Sequence, residues 1–339
     1  MEIERGTVRA PELGPEWLNS TPLSTRGLRG SVVLVDFWDY TCVNCLRTLP
    51  YLAAWHERYA PMGLVTIGVH TPEFAFAQSR ELVEQAVDRL GIRYPVVMDN
   101  HYAIWQSFAN RCWPAKYLID ASGYMRLAHF GEGEYQETEL AIQELLREIH
   151  PGAEMPPPLE PLRASDHPGA ACYRPTPELY LGLRRGQPGN EGGFQKQGEG
   201  EPFEYALPRD LRADAAYFGG AWMSAEDHAR SAGDMKHPST LLVYYAAKEV
   251  NLVMASLEGE QEVELLQDGG PVAQEEAGED VRFDATGRAT VTVSEPRMYR
   301  LTRNRAFGQR LLQLVSRQPG LLAYAFTFVT CPADESGAG

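Results

Sequence analysis

The sequence runs to 339 residues, 44% hydrophobic, 23% charged and 10% aromatic, a composition that excludes collagen, coiled coil and wholesale disorder. A chain of this length is expected to form about two domains, each able to bury a core of its own. Thirty-one basic residues against 46 acidic ones leave a net charge of −15, which repels phosphate backbones and anionic lipid, so no nucleic-acid partner is expected.

Residues 1–10 alternate in charge and carry no hydrophobic block, so no signal peptide is expected. No apolar run reaches the roughly 18–20 residues of a membrane helix, so direct membrane insertion is not expected either. The location expected of the sequence as written is cytoplasmic, or extracytoplasmic if it is part of something larger. A β-branched apolar run at 32–37 predicts a strand. Leu46, Leu49, Leu52, Ala53 and Trp55 recur at helical spacing and predict a helix over 45–59. A second buried strand follows at 64–69, then the turn His70-Thr71-Pro72. Leu82, Val83, Ala86, Val87 and Leu90 predict an amphipathic helix over 81–90, with Gly91 just past its end. Residues 94–98 read as a strand and 102–108 as a short helix. Two short runs, 116–119 and 124–130, flank Asp120-Ala121-Ser122-Gly123, a hairpin signal. A helix over 137–149 completes an α/β domain with a partly parallel sheet at 1–150.

Eight prolines fall between Pro151 and Pro177, which predicts a semi-rigid linker over 151–177. Residues 187–202 are polar and Gly/Glu-rich, and read as a loop. Beyond residue 203 short runs recur at 240–246, 249–255, 262–266, 289–293, 297–301, 310–315 and 322–329, with no convincing helix between them. That spacing predicts an all-β sandwich or jelly roll over 178–331, followed by a tail at 332–339. Trp222, Tyr244, Tyr245 and Tyr299 could form a sugar-stacking platform there, although core packing is the commoner use of such aromatics.

Five cysteines are too few for a disulfide framework. Cys172 and Cys331 flank the β domain and are expected to be free thiols, and Cys112 is expected to be half-buried and inert. Cys42-Val43-Asn44-Cys45 lies after a strand and opens a helix. A thiol there meets unsatisfied N–H groups and the positive end of the dipole, which stabilise its thiolate. Half of a zinc site is the alternative, but neither a second Cys-x-x-Cys nor a His-x₃₋₅-His supplies the other half. The expected redox group is therefore the Cys42–Cys45 disulfide itself, with no cofactor and no metal. Glu73 and His70 follow a strand, and are expected to be solvated loop residues.

Leu34-Val35-Asp36-Phe37-Trp38, followed after three residues by Cys42-x-x-Cys45, closely resembles the thioredoxin active-site run. The segment 113–123, Trp113-Pro114 through Ser122-Gly123, resembles the loop in which that fold places a cis-proline before a strand. With Gly68-Val69-His70-Thr71-Pro72-Glu73-Phe74 and His129-Phe130-Gly131-Glu132-Gly133, these segments look like the TlpA-like branch, most of all DipZ-type thiol-disulfide oxidoreductases. The resemblance is close over 20–150 and loose over 175–330. It implies a thioredoxin-like domain joined to a carbohydrate-binding-module-like β-sandwich, with disulfide exchange as the activity. By the same resemblance Cys42 would be the attacking thiolate, Cys45 the resolving sulfur, Asp36 the buried base and Pro114 the cis-proline. Trp38, Tyr40, Thr41, Val43, Asn44 and Trp113 would line the substrate groove. A buried carboxylate there is expected to have a raised pKa. The implied partners are protein thiols and disulfides, with electrons from a thioredoxin-type or membrane reductase. Two alternatives belong to other classes: a thiol peroxidase, whose Pro-x₃-Thr-x₂-Cys pattern is absent, and a non-catalytic glycan or partner binder with a vestigial dithiol.

Overall fold

The computed structural model describes residues 1–167, 170, 172–194 and 201–331. The tail at 332–339 and the centre of the 187–202 loop lie outside them. The chain divides into two compact units, Met1–Leu162 and Arg163–Gly339.

In the first unit a six-stranded sheet has the order β1-β4-β3-β2-β5-β6, built from Trp17–Leu18 (β1), Val32–Trp38 (β2), Leu64–His70 (β3), Val96–Met98 (β4), Ala115–Ile119 (β5) and Met125–Phe130 (β6). β2, β3 and β4 run parallel, while β5 and β6 return antiparallel beside β2. All seven residues of β2 are buried, as a strand covered on both faces must be. Its alternation sends Val32, Leu34 and Trp38 to one core and Val33, Val35 and Phe37 to the other. The first of these cores is completed by helices Val43–Tyr59 (α1), Arg80–Arg89 (α2) and Tyr135–Ile149 (α4). The short helix Ala103–Ser107 (α3) packs on the opposite face through Ile104. Every element expected over 32–149 is present, with ends shifted by a few residues.

The proline-rich stretch is not a free linker at its start. Met155 and Leu159 pack against the α1/α4 core. Buried Glu139 accepts hydrogen bonds from Leu159 N (2.8 Å), Arg58 Nη1 (2.9 Å) and Tyr59 OH (2.6 Å). Leu162 N donates to Tyr51 OH at 2.7 Å. These bonds hold 155–162 on the first unit.

The second unit is largely β, as expected, but two of its strands each take in two of the expected runs. Residues 240–246 and 249–255 form one strand, Ser239–Ser256, and residues 297–301 and 310–315 form another, Arg297–Ser316. The two pair along most of their lengths, with irregularities between Ala247 and Glu249 and between Val250 and Asn251. The first half of the former strand also pairs with Ala215–Ser224, a strand the sequence reading missed, and the second half pairs with Leu321–Val329. Long strands that change partners midway let one hydrogen-bonded network enclose the main core of the unit. Trp222, Tyr245 and Tyr299 are inside that core, each 2% exposed or less. They form no surface platform for a sugar.

Cys172 and Cys331 are joined in a disulfide, contrary to the expectation of free thiols. Their partnership follows from strand pairing: Leu179–Tyr180 adds to the edge of Leu321–Val329, with Tyr180 opposite Ala325, which brings the two ends of the unit together across 159 residues. A bridge closing so long a loop removes much conformational freedom from the unfolded chain. The double variant Cys172→Ser/Cys331→Ser should destabilise this unit by about 2–5 kcal/mol, read as a lower melting temperature or denaturant midpoint. An unchanged transition would show that strand pairing alone closes the unit.

Candidate active site

β2 delivers the chain to α1 through the short loop Asp39–Thr41, and that loop is fixed from beneath. The Asp39 carboxylate accepts hydrogen bonds from Thr41 N (2.7 Å), Thr41 Oγ1 (2.5 Å) and Glu73 N (2.9 Å). Cys42 N donates to the Asp39 carbonyl at 3.2 Å. The loop that follows β3 is thus stitched to the loop that precedes the dithiol. Burial raises the Asp39 pKa, and these hydrogen bonds oppose the rise. His70 Nε2 stands 3.7 Å from Asp39, within ion-pair range. Burial pushes His70 down to about 3, so the ring is neutral and the contact is not an ion pair. Tyr40 stacks on that ring at 5.6 Å, and Trp38 meets it edge-on at 5.2 Å.

Cys42 is the N-cap of α1, and its Sγ accepts from Cys45 N at 3.2 Å. The first turn carries no acidic residue, so no side chain of that turn offsets the positive end of the helix dipole at the sulfur. Cys42 is half-buried and Cys45 is fully buried. The two are joined in a disulfide, with Cα atoms 5.2 Å apart. The Trp113–Pro114 bond is cis. Half-buried Trp113 packs, like Cys42, against the α1-side core. Its Nε1 donates to the Thr71 carbonyl at 3.0 Å, and its ring lies 4.4 Å from that of Trp105.

The groove expected from the sequence is only partly assembled. Val43, Asn44 and Trp113 are accessible beside Cys42. Trp38, Tyr40 and Thr41 are each 3% exposed or less; Trp38 ends β2 and Tyr40 and Thr41 belong to the loop itself, so none of them borders an entrance. His70 and Glu73 are buried as well, because Asp39 draws the 70–73 loop inward. Cys112 is half-buried, and burial pushes its thiol up, which disfavours a reactive thiolate.

Asp36 is the strongest electrostatic feature of the site. It is fully buried, on the face of β2 that α1 covers, and neither carboxylate oxygen has a hydrogen-bond partner. Its neighbour in β3 is Gly68. A Cβ at that position would stand 2.9 Å from Trp38 Nε1 and 3.3 Å from the Tyr94 ring. Glycine is what leaves room for those two rings next to this position of β2. Burial pushes Asp36 up to about 8, against the pull of the Lys116 cation. Lys116 is the residue that sequence reasoning missed. It lies opposite Asp36 in the β2–β5 register, is fully buried, and donates from Nζ to the Gly133 carbonyl at 2.8 Å. Burial brings it down to about 8, although Asp36, Glu134, Glu132 and Glu137 favour its charge.

Two family profiles match the chain. One, described as AhpC/TSA family, covers residues 8–128. The other, described as thioredoxin like C-terminal domain, covers residues 176–328. The chain is 39% identical over 259 residues to Protein DipZ of Mycobacterium bovis and to that of Mycobacterium tuberculosis, an alignment covering 75% of this chain and 35% of DipZ. It is 33% identical over 142 residues to Protein SUPPRESSOR OF QUENCHING 1, chloroplastic, of Arabidopsis thaliana, covering 41% of this chain and 14% of that protein. Thiol-disulfide oxidoreductase ResA of Halalkalibacterium halodurans is 28% identical over 138 residues, 41% of this chain and 73% of ResA. The fold and the dithiol define a thioredoxin-like protein. Joined to the matched C-terminal domain, they make the chain similar to DipZ-type thioredoxin-like proteins. It spans about a third of the length of the DipZ proteins it matches.

Because its pKa is raised on folding, Asp36 contributes stability that is complete below about pH 4 and lost as the pH climbs through about 8. Asparagine never ionises, so Asp36→Asn should stabilise the first unit. The gain should grow between those limits to the order of a few kcal/mol, offset in part because Lys116 loses its counter-charge. Denaturant melts across that pH range provide the check, and a pH-independent loss of stability would contradict the burial argument.

Proposed function

We propose that the chain is a thiol-disulfide oxidoreductase that exchanges disulfides with protein thiols through Cys42 and Cys45. The observation that carries this reading is the inequality of the two sulfurs: an accessible Cys42 at a helix N-terminus with no acid in its first turn, and a buried Cys45 on the side of the sheet that holds Asp36. In the reduced chain the Cys42 thiolate attacks a substrate disulfide, forms a mixed disulfide and expels the first substrate sulfur. Cys45 then gives its proton to Asp36, attacks Cys42 Sγ and releases the second substrate sulfur. Two electrons and two protons leave the dithiol as the Cys42–Cys45 bond forms. The reverse sequence oxidises a substrate dithiol, and the potential of the pair sets the direction. We further propose that a thioredoxin-type or membrane reductase re-reduces the dithiol. The Cys172–Cys331 bond favours an oxidising, extracytoplasmic compartment.

Insulin reduction tests the assignment. Cys42→Ser should abolish turnover. Cys45→Ser should attack but fail to release, so mixed disulfides accumulate. Asp36→Asn should slow the release step by about ten- to a hundredfold while leaving the first attack nearly normal. Full activity in Cys42→Ser, or no trapped adduct with Cys45→Ser, would refute the roles given to the two sulfurs.

A further inference from the structure

A second buried carboxylate, that of Asp39, holds the chain that leads into Cys42, and the exchange chemistry above makes no use of it. Asp39 Oδ1 accepts from the N–H and the hydroxyl of Thr41, at 2.7 and 2.5 Å, and Oδ2 accepts from Glu73 N at 2.9 Å. All three partners donate. An uncharged carboxyl group would need an acceptor for its own O–H, and His70 Nε2, at 3.7 Å, is too far to take one. The surroundings therefore suit the ionised form. His70 is neutral and supplies no counter-charge. Thr41 N lies on Oδ1, and the next residue is one spacing of about 3.8 Å further on, which brings the carboxylate within about 7 Å of Cys42 N. Asp39 is fully buried, so solvent and salt screen a charge there only weakly.

The Cys42–Cys45 disulfide is neutral. Two electrons and one proton convert it to a Cys42 thiolate and a Cys45 thiol, so only the reduced pair carries a charge for a neighbouring carboxylate to oppose. Two fields then meet at Cys42 Sγ. The positive end of α1 favours the thiolate, and a negative charge on Asp39 disfavours it. We propose that Asp39 is a positioning residue that sets the potential of the pair: it holds Cys42 at the helix terminus and, by its charge, raises the free energy of the reduced state, which biases the chain toward reducing substrate disulfides. The inference rests on the oxidoreductase reading above and adds a direction to it, since a dithiol whose reduced form is less stabilised is the stronger reductant. The titratable groups on the loops around Asp39 are Tyr40, His70, Glu73 and Asp99. Tyr40 stacks on neutral His70, and Glu73 is buried. Asp99, which follows β4, accepts from Thr71 Oγ1 at 3.3 Å, Ile104 N at 3.0 Å and Trp105 N at 2.8 Å. None of the four is a cation at neutral pH, so none reverses the sign of the effect.

Two readouts on the full chain test the proposal: the pH midpoint of Cys42 alkylation, with the modified residue identified by mass spectrometry, and the glutathione ratio at which the pair is half reduced. Asp39→Asn and Asp39→Ser both remove the charge while keeping a side-chain oxygen for the Thr41 N–H, so either serves if the other fails to fold. Each should lower the Cys42 midpoint by about one unit. Each should also move the glutathione ratio about three- to tenfold toward the oxidising side, about 15–30 mV for a two-electron couple. The sign of the first shift separates charge from shape. A residue that only tied down the loop would, once replaced, release Cys42 from the helix terminus and raise its midpoint toward the free value of about 8.5. A raised or unchanged midpoint, or an unmoved glutathione ratio, overturns the proposal. Failure of the wild-type pair to exchange with glutathione would instead refute the oxidoreductase reading, and the alkylation midpoint still decides the role of Asp39 in that case.

Discussion

Desolvation of one carboxylate governs the arrangement around the dithiol. Asp36 occupies the middle of a strand with no exposed residue, where an apolar side chain would give a more stable core. An unpaired buried charge costs several kcal/mol, so the group resists ionisation. Its surroundings maintain that condition without removing its chemistry. Gly68 admits the Trp38 and Tyr94 rings on one side, and Lys116 supplies a distant counter-charge on the other. A direct hydrogen bond to a cation would hold Asp36 ionised and weaken it as a base. Complete isolation would keep it protonated throughout the neutral range. The observed environment lies between these limits, which is where a base working near neutral pH belongs.

The second requirement is that the two sulfurs differ. A helix N-terminus acts strongly on groups within its first turn, and Cys42 receives that field directly as the N-cap. Cys45, one turn in, faces the core. The inequality depends on the loop keeping its shape, and the Asp39 hydrogen bonds to Thr41 and Glu73 hold it. Neutral His70, packed between Trp38 and Tyr40, fills the space beneath. The loop is therefore held in one shape, with Val43, Asn44 and Trp113 left accessible.

Local runs carried most of the information that could be read in advance. The first sheet, its helices, the dithiol and Asp36 all follow from short segments whose neighbours in sequence are their neighbours in space. Lys116 could not be found that way. In Ala115–Ile119 it reads as one polar residue in a strand, and its importance comes from register with β2 and from a carbonyl on another loop. The burial of His70 and Glu73 is nonlocal in the same sense, since Asp39 draws their loop inward. In the β unit, Ala215–Ser224 escaped notice because Gly219-Gly220 and three alanines carry little strand signal. The two long strands looked like four because polar stretches at 248–249 and 302–309 interrupt their alternation. Cys172 and Cys331, 159 residues apart, become partners only once the first and last strands of the unit pair.

The central claim is that position at the helix terminus makes Cys42 the acidic, attacking thiol. The rate of alkylation of the reduced chain as a function of pH, with the modified residue identified by mass spectrometry, tests it most directly. The account requires Cys42 to react first, with a midpoint below the free-thiol value of about 8.5. A midpoint at or above that value, or earlier modification of Cys45, would contradict it.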